Sequence, residues 1–174
     1  LLHDVLHDPV GQNQSKNAHA WMHYAYINLQ LSEDAKTDKE IYANNAMNGF
    51  MALMNLKQAS MHYLCQLCSL FFNYGTSLQN FKAAADHLIG LPPECALSIM
   101  PQLLTQYSHP IEEVRNVVFQ IIEKLSEKNY QALAFSLSLI RQLDPTKELL
   151  ALVDKIEAKN IQISSELKGL TKSL

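Results

Sequence analysis

Two histidines one helical turn apart sit in the opening Leu1-Leu2-His3-Asp4-Val5-Leu6-His7, the spacing by which a helix presents two imidazoles to a zinc ion. Asp4 occupies the place where a zincin has its glutamate. The glutamate itself and a third ligand are missing, so the context a metal motif needs is absent. His19 and His23 repeat the spacing, on the polar side of an amphipathic pattern where water is the default partner. The enzyme reading these residues permit is a metal-dependent helical-bundle hydrolase using His3, His7, His19 and His23. The metal content of purified protein separates it from a protein without a metal.

His62, Cys65 and Cys68 form a ladder of period three within an apolar stretch. A Cys-x-x-Cys pair points to zinc when a second pair lies downstream, and here only Cys95 follows. A redox pair of the thioredoxin kind needs a βαβ unit around it, and no strand-like alternation occurs. The residues then read as core, since free cysteine packs as a small hydrophobe. No glycine-rich phosphate loop and no kinase catalytic motif occurs in the sequence. The acid pair Glu112-Glu113 sits side by side at a helix start, so the two carboxylates cannot converge on one bond. They complement the positive helix end instead. We therefore expect no catalytic residue, no cofactor and no metal.

The elements that would have to position such groups are all helical. Proline and glycine cluster at Pro9-Val10-Gly11, Gly75, Gly90-Leu91-Pro92-Pro93, Pro101, His109-Pro110 and Asp144-Pro145. Between them, apolar residues recur at spacings of three and four. Ala18, Trp21, Met22, Ala25 and Leu29 share one face, with His19, His23, Tyr26 and Gln30 on the other. Ile111, Val114, Val118, Ile121, Ile122 and Leu125 form a second stripe. These patterns predict helix starts near residues 16, 41, 60, 78, 93, 111, 129 and 146, so that a helix pair occupies about 35–40 residues, the period of helical-hairpin solenoids. The expected fold is all-α, a right-handed solenoid of antiparallel helix pairs of TPR or HEAT type. Pro110 and Pro145 suit first-turn positions after His109 and Asp144. Trp21 is expected to be a buried packing residue, Gly49 to permit close helix approach, and Pro101, which could kink or divide the segment Glu94 to Gln106, to kink it.

Composition is consistent with a soluble domain. The chain has 174 residues, 48% hydrophobic and 18% charged, with a net charge of −3. That size can bury a core without disulfide or metal staples, and composition alone suggests a single compact domain. The three cysteines do not form a framework. With a near-neutral charge balance they suit a reducing, intracellular compartment, cytoplasm or nucleus, and offer no handle for nucleic acid. The first residues carry no initiator methionine and no basic signal region, and read as cut from something longer. The uncharged run from Gln58 to Phe81 holds Gln58, His62, Gln66, Asn73 and Asn80, which hydrocarbon penalises, so it reads as core rather than a transmembrane segment. After Pro110, acids and bases alternate in equal numbers, marking a solvated amphipathic surface.

The most regular pattern comes last. Leu149, Val153, Ile156, Asn160, Ile163, Leu167, Leu170 and Leu174 follow alternating spacings of four and three, a heptad seam with one polar position. A continuous helix over 145–174 would extend about 45 Å. Its first turns are expected to pack on the preceding helix. Asn160, Ile163, Leu167 and Leu170 are the candidate partner surface, for the rest of a parent chain or for self-association.

Read in order, Ala20-Trp21-Met22-His23-Tyr24-Ala25-Tyr26-Ile27-Asn28, Ala46-Met47-Asn48-Gly49-Phe50, Leu70-Phe71-Phe72-Asn73-Tyr74-Gly75, Met100-Pro101-Gln102-Leu103-Leu104, His109-Pro110 and Gln131-Ala132-Leu133 form a series. It resembles the C-terminal part of the FAT region of phosphatidylinositol-3-kinase-related protein kinases, most like their target of rapamycin branch. The resemblance covers about residues 16–167. It implies a helical solenoid that wraps a kinase domain and binds accessory subunits, with 1–15 as the end of a preceding helix and a linker, and 16–174 as the FAT-like repeats running into the next bundle. Ser165-Glu166-Leu167 is similar to the start of that bundle. Tyr130 replaces the family's usual proline, Leu31 to Glu40 is a short linker where the branch often has an insertion, and Gly169 weakens the terminal helix. Independently of the family, His109-Pro110 with Val114-Arg115 resembles the opening of a HEAT repeat, which suits a freestanding adaptor.

Overall fold

In a computed structural model the chain is described over residues 14–56, 60–143 and 147–160. The described residues form helices α1 (Gln14–Asp34), α2 (Lys39–Asn55), α3 (Met61–Tyr74), α4 (Phe81–Ile89), α5 (Pro93–Ser98), α6 (Met100–Thr105), α7 (Glu112–Leu143) and α8 (Lys147–Lys159), with a 3-10 turn at Gly75–Ser77 and no strand among them. The all-helical expectation is met. Chain contacts divide into two compact units, residues 1–87 and 88–174, where composition alone suggests one. The boundary falls within α4.

In the first unit, α1 and α2 pack along much of their length. Gly49 is the reason they can. A Cβ built on it would stand 2.8 Å from the Cβ of Ala25, 3.0 Å from its Cα and 3.2 Å from its nitrogen, so only hydrogen fits between the backbones. Around this contact the buried apolar core holds Met47, Phe50, Leu53, Leu64, Leu67 and Phe71. Asp38, with φ 63°, starts α2 in the left-handed region that aspartate tolerates better than most residues. Ser60 caps α3, its Oγ accepting from the His62 N–H at 3.3 Å. Gly75 ends α3 at φ 51°, ψ −132°, a conformation open to glycine and strained for other residues. Asn80 ties the start of α4 to α2: its backbone N–H donates to Asn44 Oδ1 at 3.1 Å, and its Nδ2 donates to Asn48 Oδ1 at 2.7 Å.

In the second unit, Pro101 divides the predicted helix rather than kinking it. The chain leaves helical geometry at Ile99 (φ −97°, ψ 5°) and restarts as α6 with Pro101 in its first turn. Inside a helix the ring would crowd the carbonyl of Leu97 and lack a donor for it, whereas a first-turn position needs no donor. Ahead of α7 the His109 ring closes a turn, Nδ1 accepting from the Ile111 N–H at 3.1 Å, while Arg115 Nη1 reaches back to the carbonyls of His109 (2.7 Å) and Pro110 (3.2 Å), so that Pro110 precedes the helix rather than standing in its first turn.

Helix α7 is broken at Asn129 (φ −129°, ψ 32°) into limbs 112–128 and 130–143, close to the start predicted at 129. Asparagine is a poor helix-interior residue, because its amide competes for backbone partners. A straight helix would set residues 123 and 141 about 27 Å apart. With the break, both limbs reach α8. Arg141 pairs with Asp154 (3.2 Å) and Glu157 (3.3 Å), and Glu123 with Lys155 (2.8 Å) and Lys159 (3.1 Å). Beneath these pairs Val118, Ile122, Leu133, Val153 and Ile156 are buried.

Candidate functional site

The residues singled out from the sequence do not gather into one site. His19 and His23 are exposed, and His3 and His7 lie outside the described residues. His62 is exposed and its ring stacks on Tyr26 at 5.9 Å, while Cys68 is fully buried one helical face away and Cys65 is half-buried. The period-three ladder therefore runs from solvent into the core instead of converging. Among the described residues, no three His, Cys, Asp or Glu side chains lie where they could share a metal ion. No described helix is long and apolar enough to cross a membrane.

Burial pushes the Cys68 thiol up to about 12, with the neighbouring Cys65 adding to the shift. A thiol that does not ionise is inert to alkylation. Cys65 and Cys95 are both half-buried, which corrects the expectation that Cys65 is core like Cys68. In native protein at mild alkaline pH, a thiol reagent should modify Cys65 and Cys95 and spare Cys68 until denaturant is added. Mass spectrometry of the labelled peptides checks this, and rapid labelling of Cys68 would contradict it.

Trp21 is half-buried rather than buried. Its ring meets the Tyr24 ring edge-on at 5.7 Å, and the buried line of α1 runs through Ala18, Ala25, Asn28 and Ser32. The polar members of that line are internally satisfied: Asn28 Nδ2 donates to Tyr24 O and Ser32 Oγ to Leu29 O. Tyr26, assigned to the polar side by periodicity, instead contacts Phe50 (5.4 Å) and Tyr63 (6.5 Å). Its long side chain reaches the core from the margin of the helix face. A half-buried ring loses less on truncation, so Trp21→Ala should cost about 2 kcal/mol in denaturant unfolding, below the roughly 3–5 kcal/mol of a fully buried aromatic.

Asn160 is half-buried, and its Nδ2 donates to the Ile156 carbonyl at 3.0 Å, so it closes the end of its own helix. Helix α8 stops at Lys159, with the Asn160 N–H bonded to Glu157 O at 3.0 Å. Ile163, Leu167 and Leu170 lie outside the described residues. Among the described residues, exposed large hydrophobics occur at Ile27, Leu31, Ile41 and Met61.

Periodicity did not reveal two features of the second unit. One is the ionic contact of Glu123 with Lys155 and Lys159. Hydrogen bonds from those two ammonium groups hold the Glu123 carboxyl below its ordinary value. Because the folded pKa is depressed, the contribution to stability is present above the ordinary carboxyl range and is lost as pH falls through the lower, folded value. Acid unfolding of Glu123→Gln should lack this component, and the difference between the two proteins should shrink at high salt. Equal acid sensitivity in the two would show the contact to be idle.

The other feature is a cavity of about 370 Å³ between the 89–93 turn and the first limb of α7. Its walls include Leu88, Leu91, Ala96, Ile121 and Leu125, all buried. Lys124, Glu127 and Lys128 stand at its edge, and Lys124 Nζ donates to the Ile89 carbonyl at 2.6 Å. The sequence signal was present in the Lys124 and Lys128 pair, one turn apart beside an apolar stripe. What it lacked was the turn they face.

Comparison with known proteins finds no matching family, no matching curated protein and no matching solved structure.

Proposed function

We propose that the chain is a non-catalytic scaffold segment of a Ser/Thr protein kinase of the phosphatidylinositol-3-kinase-related family, most like target of rapamycin. Its helix pairs would stack as TPR/HEAT-like repeats of a right-handed solenoid that supports the kinase domain and binds accessory subunits. Phosphoryl transfer would belong to the parent kinase, in the cytoplasm or nucleus.

The observation that carries this reading is where the motif residues lie. Ala25 of the first motif and Gly49 of the second meet at the α1–α2 contact. Phe71 and Gly75 of the third fill the core and end a helix. Pro101 starts a helix, His109-Pro110 forms the turn before one, and Gln131-Ala132-Leu133 follows the break at Asn129. Each motif is spent on packing or on a helix end, as expected of a part whose work is to hold surfaces in fixed relation. The exposed Ile27, Leu31 and Ile41 support a role in contact with other protein.

One arrangement favours a second reading, a freestanding HEAT/TPR-like adaptor. The His109 ring accepts from the Ile111 N–H just ahead of α7 while Arg115 clamps the His109 and Pro110 carbonyls, a locally closed turn of the kind that opens a HEAT repeat. The coding sequence beyond Leu174 separates the two. Continuation into a helical bundle and a kinase domain is the expected result. A stop codon or an unrelated domain would remove the kinase reading and leave the adaptor.

A further inference from the structure

The break in α7 rests on one residue. Torsions leave helical values at Asn129 (φ −129°, ψ 32°), with helix on both sides and no glycine or proline from Glu112 to Leu143. Proline and glycine are the usual residues at sharp kinks, so packing against α8 holds this bend. Turning φ and ψ of Asn129 by about 70° each restores helical values. Its neighbours Glu127, Lys128, Gln131 and Ala132 are strong helix formers. A depression at the break, lined in part by Lys128, Asn129, Gln131 and Asn160, leaves room for that turn.

Straightening would make α7 a rod of about 48 Å. Helix α8 follows the second limb after three residues, so it would travel with that limb and keep Arg141 on Asp154 and Glu157. Glu123, on the other limb, would lose Lys155 and Lys159. Val118 and Ile122 of the first limb and Val153 and Ile156 of α8, all buried in the bent form, would be uncovered together. The surface that fits each of these faces is the one its own chain has withdrawn, and a second copy carries it.

We propose that α7 opens at Asn129 to give an exchanged dimer, in which the second limb and α8 of each copy pack on the first limb of the other. Contacts of the bent form are remade between copies, except at the hinge itself. Hinge conformation and protein concentration then set the balance between monomer and dimer. The inference does not rest on the scaffold reading and lies wholly within the second unit.

The test is sedimentation of the full chain over a concentration series, with Asn129 replaced by alanine or glycine. Alanine favours a continuous helix over glycine by about fivefold, and two hinges per dimer square this to about twenty-five-fold. Asn129→Ala should therefore dimerise at a concentration at least about tenfold lower than Asn129→Gly, with the unsubstituted chain between them. Charge reversal in the Asn129→Ala chain at low salt separates exchange from surface association. Glu123→Lys alone, or Lys155→Glu with Lys159→Glu alone, sets like charges against each other. Mixed, the two chains form an exchanged heterodimer in which each first limb meets an α8 of opposite charge, and native mass spectrometry should find it well above its statistical share. If either chain fails to fold alone, its helical circular dichroism signal should return on mixing. Monomer at every concentration, a dimer indifferent to residue 129, or a mixture with neither excess heterodimer nor recovered helix would each overturn the proposal.

Discussion

Gly49→Leu is expected to unfold or severely loosen the first unit. The added Cβ alone would stand 2.8 Å from the Ala25 Cβ and 3.0 Å from its Cα. The obstacle is partly backbone, which no rotamer change relieves. Overpacking typically costs about 1–3 kcal/mol, and a leucine driven between two helices belongs at or beyond the top of that range. Gly49→Ala isolates the contact: it gains about 1 kcal/mol of helix propensity, so any net loss in urea unfolding measures the forced separation. Ala25→Gly in the same chain should recover part of it. An unchanged unfolding midpoint for Gly49→Leu would mean that α1 and α2 do not meet here.

Phe71→Ala should be the most damaging truncation in the core of the same unit. Phe71 is fully buried, stacked on Phe81 at 5.0 Å with the rings nearly parallel, and edge-on to Phe72 at 5.7 Å. Removing a buried aromatic costs about 3–5 kcal/mol, part from lost transfer energy and part from the cavity left behind. A double-mutant cycle with Phe81→Ala should show about 0.5–1.5 kcal/mol of coupling beyond the two single losses. The comparison with Trp21→Ala carries the contrast, because the two rings have similar apolar content and differ in burial. If Phe71→Ala and Trp21→Ala cost the same, burial is not what ranks them.

Residues whose effect is local were readable from the sequence. Gly49 inside an apolar helix announced a close approach, and Gly75, Pro92-Pro93 and Pro101 mark helix ends or starts near the places read from the sequence, while Pro9 and Pro145 lie outside the described residues. Pro101 was located correctly but its consequence was not, because whether a helix bends or restarts depends on how the flanking residues pack. Trp21 was placed on the right face and given too much burial. Periodicity gives direction around a helix, not how far a neighbour extends over it. Tyr26 erred the other way, since its length carries the ring across the boundary that direction alone would draw. The Glu123 contact and the Lys124 cavity bring together residues some 30 positions apart, and pattern within a single helix has no access to such pairings. Of the seam, Val153 and Ile156 are buried as their spacing suggested. Asn160, read as the one polar member of the heptad, turns its amide back onto its own helix, and the seam positions after it lie outside the described residues.

The two hydrogen bonds that Asn80 makes to Asn44 and Asn48 bear on how the first unit answers mechanical load. Apolar side chains sliding along one another exchange partners gradually, so a purely greasy contact yields by creep. Amide pairs do not: displacement of α2 along its axis by one turn, about 5.4 Å, carries both asparagines out of reach at once. They work as an indexing pin, fixing α2 to one register against the start of α4 while the surrounding core supplies adhesion. The element is thereby stiff in shear along that axis and brittle beyond it, a property suited to passing a small displacement on rather than absorbing it.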